Sequence, residues 1–184
     1  MISNIITHPS IALIIGAILI YIFKGRGNYI SIISLLASLI ILIIFTGQKD
    51  LIFTTTKISI HYFLYSNLSF LFCLVFLLIG IIGKVFSIYN NNDNEKALIL
   101  IYIASAIAVI FSGDFLTLYV FWEIMAIAST FIIWSANSIH SGKAGQRYLI
   151  MHMFGGLILL FGIIGLYLDT NNLAIRIINL ESWY

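Results

Sequence analysis

The sequence predicts an all-α fold, a polytopic transmembrane bundle of about six helices, and three observations carry that expectation. First, 61% of the 184 residues are hydrophobic and only 9% are charged. A soluble domain wets its surface with about 25% charged residues. Second, the apolar residues gather into runs between short polar breaks, most of them near the roughly 20 residues that cross a bilayer as a helix. Third, the runs are too long for barrel strands, and an open sheet in lipid would leave its edge amides unpaired. One integral membrane domain over 1–184 is expected, with no soluble domain of any size.

The expected spans are 10–23, 29–46, 66–89, 97–112, 115–134 and 148–168. Pro9, the single proline, stands just ahead of the first, where a missing N–H costs little. Lys24 and Arg26 follow that run instead of preceding it, the reverse of a cleaved leader, so it is read as a retained helix. Tyr21 and Tyr102 can sit at the interface and help the shorter first and fourth spans to cross. The breaks are 25–28, 47–62, 90–96, Gly113 with Asp114, and 135–147. In the long second break, Thr54, Thr55, Thr56 and Lys57 precede an alternating Ile58, Ser59, Ile60 and His61, which predicts a short extended or hairpin element.

Lys24, Arg26, Lys84, Lys96, Lys143 and Arg147 fall on one side of this alternating topology, against Lys49, Lys57 and Arg176 on the other. The richer side is expected to be cytoplasmic, which places the amino terminus outside. A net charge of +2, scattered along the chain, gives nucleic acid nothing to bind. Cys73 is the only cysteine and lies in an apolar run, so packing is its expected role. There is no glycine-rich phosphate loop, no H-E-x-x-H and no G-x-S-x-G, and no flavin or iron-sulfur ligand set, so no cofactor and no hydrolysis are expected.

An ionisable group far inside a span costs about 2.5 to 3.5 kcal/mol on insertion scales and is therefore a candidate for function. Glu123 is such a group. It lies about 12 Å along a helix starting at Phe115, near the middle of a hydrocarbon core about 30 Å thick. Tyr119, Glu123 and Thr130 fall within about 40° of one another on a helical wheel and form a stripe that could hold water. A cation approaching from another helix would load or unload its proton. The competing reading is a glutamic acid that only bonds two helices together. His152, one turn beyond Arg147 and Tyr148, is a candidate relay, although a neutral imidazole satisfied by a neighbouring hydroxyl or carbonyl is the reading the sequence favours. Lys143 and Arg147 are expected to snorkel to headgroups, with a gate at the inner end of a proton path as the alternative.

Asp114 is expected to cap the fifth helix. His8, His61 and His140 fall in loops without metal-ligand spacing, so no metal is expected. Gly155, Gly156, Gly162 and Gly165 in the sixth span, and Gly80 and Gly83 in the third, are expected to allow close helix contact.

The run Gly113-Asp114-Phe115-Leu116-Thr117-Leu118-Tyr119-Val120-Phe121-Trp122-Glu123-Ile124-Met125-Ala126 closely resembles the fifth-helix signature of the proton-translocating antiporter family. That family comprises the large membrane subunits of respiratory NADH-quinone oxidoreductase and the A and D subunits of Mrp-type cation/proton antiporters. The stretch Gly142-Lys143-Ala144-Gly145-Gln146-Arg147-Tyr148-Leu149-Ile150-Met151-His152, with Gly155 and Gly156, looks more like the D-type Mrp subunit. What the resemblance implies is a proton-relay glutamate at Glu123, paired in the family with a lysine. It also implies an external amino terminus, and partners that are other membrane subunits, protons, sodium or potassium, and lipid, in the bacterial inner membrane. The resemblance covers the family's first six helices, and Asn67 stands where relatives often carry an acidic residue. A transporter component that works only with a partner chain is thus the leading expectation, and the chain by itself is not expected to be an enzyme. A non-transporting structural subunit is the second reading. An intramembrane enzyme using Glu123 and His152 is the weakest, for want of a nucleophile or a metal-ligand set.

Overall fold

The computed structural model describes residues 8–44, 51–54, 59–136 and 138–175. Among the described residues six helices follow one another: α1 (Pro9–Ile22), α2 (Gly27–Ile44), α3 (Asn67–Phe86), α4 (Asp93–Ile110), α5 (Phe115–Ser135) and α6 (Ile139–Thr170). Between α2 and α3 lie two strands, β1 (Leu51–Thr54) and β2 (Ser59–Phe63), paired antiparallel with Thr54 opposite Ser59. The expected hairpin is therefore present, while Thr55, Thr56, Lys57 and Ile58 lie outside the described residues, as do Lys49 and Arg176. α2, α3, α5 and α6 are long and apolar enough to cross a membrane, and α1 is a shorter apolar helix. α4 is equally long at 18 residues but opens on Asp93, Glu95 and Lys96. The polytopic helical membrane fold is as the sequence predicts.

Polar side chains start the helices. The side chains of His8, Ser66, Asn92, Asp114 and Ser138 each accept a hydrogen bond from a free amide in the first turn of α1, α3, α4, α5 and α6 respectively. Two boundaries differ from expectation: α4 starts at Asp93, inside the expected break at 90–96, where Asn92 caps it. The break at 135–147 is helical from Ile139 onward, because Ser138 and Ser141 form a reciprocal capping box and the Lys, Ala, Gln and Arg that follow are all good helix formers. The C-terminal end of α6 is closed by Asn171 in the left-handed conformation, φ 52°.

The core lies among α1, α2 and α4. Leu13, Ala17 and Ile20 of α1 and Leu35 and Leu42 of α2 pack with Leu100, Ile103, Ala104 and Ile107 of α4. Gly16 permits the close approach, since a methyl there would collide with Ser34 and touch Leu100. Small residues on α4, among them Ser105, Ala106 and Ala108, are buried as well, and α4 packs on α5 as closely as on α1. α5 then packs on α6, which is the outer helix and keeps most of its surface exposed.

The two ends of the bundle are built differently. At one end His8 stands edge-on to Phe63 (5.2 Å) and Phe111 (5.7 Å), which stack at 4.8 Å. Leu64 N donates to Phe111 O over 2.7 Å there. Burial pulls the His8 imidazole from 6.5 down to about 3. At the other end Gly25 N donates to Asp93 Oδ2 over 2.6 Å and Asn28 Nδ2 to Ile88 O over 2.9 Å. These bonds bring the α1–α2 and α3–α4 turns together, and with them Lys24, Arg26, Lys84 and Lys96. The sense of α5 and α6 puts Lys143 and Arg147 at that same end.

Candidate functional site

α5 and α6 run antiparallel, and their contact is a ladder of polar and aromatic pairs. Trp134 Nε1 donates to Gly142 O over 3.3 Å, and the same indole lies against Gly145, where a methyl would collide with it. One turn on, the Ser129 and Tyr148 hydroxyls are 2.8 Å apart. Tyr148 stacks on His152 at 5.9 Å, and Trp122 meets the same imidazole edge-on at 6.0 Å. Above His152 the ladder reaches Gly156, and there the Glu123 carboxylate lies in the space a side chain would take: a methyl on Gly156 would collide with Glu123 Oε1.

Helical spacing explains why these groups meet. Gly145, Tyr148, His152 and Gly156 recur at three- and four-residue intervals, so they share one face of α6. Gly156 is buried, Glu123 is half-buried, and Ala126 between the two helices is 1% exposed. His152 Nε2 is buried and has no hydrogen-bond partner among the described residues. A buried imidazole nitrogen without a partner forgoes a hydrogen bond worth about 1 kcal/mol or more.

The other expected candidates fall around this seam. Tyr119 and Thr130 lie on the Glu123 face of α5, but the Thr130 hydroxyl donates to Ala126 O on its own helix over 2.8 Å. Lys143 and Arg147 are exposed on α6, and Arg147 is about 180° around the helix from Gly156, so the fold does not bring them onto the seam. Asp114 caps α5 as expected. Its carboxylate accepts from Thr117 N and Thr117 Oγ1, both at 2.7 Å, and it is fully buried.

Of the glycines expected at close contacts, Gly156 and Gly80 bear the expectation out, since Gly80 sits against Ile103 and Leu35. Gly83, Gly155, Gly162 and Gly165 do not, because a methyl at any of them would meet nothing within 4 Å. Gly83 borders open space among α2, α3 and α4, and at the other three a methyl would stand clear of every described residue. Cys73 is buried, as expected. Among the described residues no three of His, Cys, Asp and Glu converge as a metal site would require.

A second polar cluster was not visible in the sequence. In the sequence Lys84 and Lys96 counted only toward the charge-rich side, Lys84 near the end of the third span and Lys96 in the break after it, yet they are only 7% and 6% exposed. Lys84 Nζ donates to Asn28 Oδ1 over 2.7 Å, and Lys96 Nζ pairs with Asp93 Oδ1 at 2.8 Å. The partners are three residues apart in one case and 56 in the other. Only the short spacing, at helical i,i+3, could have been read beforehand.

Residues 112–182 match the family model described as NADH:quinone oxidoreductase/Mrp antiporter, TM. The chain is 30% identical over 119 residues to the A-type Na(+)/H(+) antiporter subunit of Alkalihalophilus pseudofirmus, a match that takes in 60% of this chain and 14% of that protein. It is 32% identical over 117 residues to the A1-type Na(+)/H(+) antiporter subunit of Staphylococcus aureus, again 60% of this chain and 14% of the relative. Its fold is that of a chain in the membrane-bound sulfane sulfur reductase, an archaeal respiratory membrane complex, with a TM-score of 0.74 at 22% identity over 90% of this chain and 37% of the other. The resemblance read from the fifth-helix run is thereby borne out at the level of the family. Both antiporter relatives are of the A type, whereas the sixth segment looks more like the D type.

Proposed function

We propose that this chain, whose 112–182 segment carries the membrane signature of the NADH:quinone oxidoreductase/Mrp antiporter family, is a component of a proton/monovalent cation antiporter or of an ion-translocating respiratory complex. In this role it resides in the bacterial inner membrane with its amino terminus outside, beside other membrane subunits. It moves protons against sodium or potassium and is a transporter component, not an enzyme. Glu123 is its relay, near the bilayer midplane.

The observation that carries this reading is the α5–α6 seam: a carboxylate lying against Gly156, one helical turn from an imidazole whose Nε2 is buried without a partner among the described residues. A proton held by Glu123 has His152 as the next titratable group along the same face of α6, with Tyr148 and Ser129 beyond it toward the lysine-rich end. The match takes in 14% of the A-type relative, so most of that protein's length has no counterpart among these 184 residues. The competing reading is a structural subunit in which Glu123 only joins two helices, and the close fit at Gly156 favours it.

Glu123→Gln separates the two, because it keeps shape and hydrogen-bonding reach while removing the titration. In the relay the variant assembles normally and the reconstituted complex loses most ion-coupled proton movement, while Glu123→Asp keeps a fraction. In the structural role glutamine leaves flux unchanged and any defect shows as reduced complex yield. Vesicles containing this chain alone are expected to show no cation-dependent proton exchange, and robust exchange there would overturn the need for a partner.

A further inference from the structure

A cavity of about 390 Å³ lies among α2, α3 and α4, at the end of the bundle where Lys84 and Lys96 are buried. Its walls are apolar for most of their length, and its polar groups are concentrated at one end, where Ser31 and Ser87 accompany the two lysines. Lys84 is two residues from the end of α3 and Lys96 lies in the first turn of α4, so both ammoniums sit at the depth of a helix end. From there the cavity runs along Gly83, Gly80 and Phe76, about 12 Å toward the middle of α3 at 1.5 Å per residue. Ile79 on this wall is 62% exposed and Phe76 38%, so the cavity opens sideways, where lipid would lie.

Charge decides what fits. Two buried ammoniums face one carboxylate, Asp93, whose oxygens already accept from Lys96 Nζ and Gly25 N. Asn28 gives Lys84 a neutral partner only. One positive charge is therefore left over in a site almost closed to water, and an uncompensated buried charge is costly. We propose that this cavity binds an anionic phospholipid from the membrane, its phosphate against Lys84 and Lys96 and one acyl chain along Gly80 and Phe76. A pocket of this size, mostly apolar with a few polar groups at one end, has the form of a ligand site. Basic pockets between membrane helices recognise anionic headgroups by this chemistry. The site stands on its own observations and does not depend on Glu123.

The test is native mass spectrometry of the purified chain, with whatever subunits remain attached, after exchange with phosphatidylglycerol or phosphatidylcholine. Phosphatidylglycerol is expected to be retained at least tenfold more than phosphatidylcholine, and Lys84→Met to abolish that preference while Lys84→Arg keeps it. Gly83→Leu, which projects into open space and leaves both charges in place, is expected to exclude the lipid without disturbing the fold. A circular-dichroism melt checks that each variant is folded. Equal retention of the two lipids, or retention unchanged in both Lys84→Met and Gly83→Leu, would overturn the proposal. So would inorganic phosphate binding alone with the same sensitivity to Lys84→Met, which would make the ligand a free anion.

Discussion

In the α1–α4 bundle each buried lysine has a partner at hydrogen-bond distance, Asn28 for Lys84 and Asp93 for Lys96. The glycine at its centre, Gly16, is wedged against Ser34. Along the α5–α6 seam a carboxylate lies against a glycine, and His152 Nε2 is buried with no partner among the described residues. Paired groups fix a structure, because moving either one strands the other in a poor solvent. A buried group without a partner lacks that constraint, and the seam is held by the aromatic and hydroxyl contacts along it. Changes in the bundle should therefore be read as stability, and, if the proposed relay holds, changes in the seam as proton movement.

The largest expected effect is in the bundle. Gly16→Leu forces α1 away from α2 and α4, and overpacking of this kind costs up to about 3 kcal/mol. Thermal unfolding in detergent should show it, and a variant as stable as the parent would break the comparison. Next is the His8 end. The folded state holds this imidazole neutral, with its pKa lowered to about 3. Stability should be full above pH 6.5 and fall as the pH drops toward 3, by about 2 kcal/mol at pH 5. His8→Asn remains a cap and lacks the titration, so its unfolding should lose this pH step; an unchanged step would assign it to other groups. Third is Asp114→Ala, at the junction of the two regions, which should cost about 1 kcal/mol as the cap of α5 is lost. The smallest effect sharpens the contrast inside α6. Gly155→Ala meets nothing and should leave both stability and flux within error. Gly156→Ala displaces the Glu123 carboxylate, and should reduce flux more than it reduces the yield of folded protein.

How much of this could be read beforehand follows from sequence distance. The helices were legible because each is a local pattern, an apolar run with a capping residue before it, as at Ser66 and Asp114. The start of α6 was not, since its polar first turns look like a loop to hydropathy and the Ser138–Ser141 capping box is a weak signal. Glu123 was legible as an isolated charge in an apolar run, but its notch at Gly156 lies on the next helix and had no local mark. The same holds for the lysine cluster. The bonds that bury it join residues 56 to 68 positions apart, and nothing near Lys84 in the sequence points to Asn28. His8 was read as an unassigned loop histidine, because Phe63 and Phe111, the rings that enclose it, come from two later elements.

The length of α6 has a mechanical consequence. Its 32 residues make a rod of about 48 Å at 1.5 Å per residue, longer than a hydrocarbon core of about 30 Å. It contains no proline, and its one glycine pair, Gly155 with Gly156, is the place where it can bend. Gly156 sits about 26 Å from the Ile139 end, roughly half-way along. A long helix seated on one neighbour along one face and jointed at its middle has two arms. A displacement of the basic arm, near Lys143 and Arg147, would be taken up at that joint, where the Glu123 carboxylate lies against Gly156.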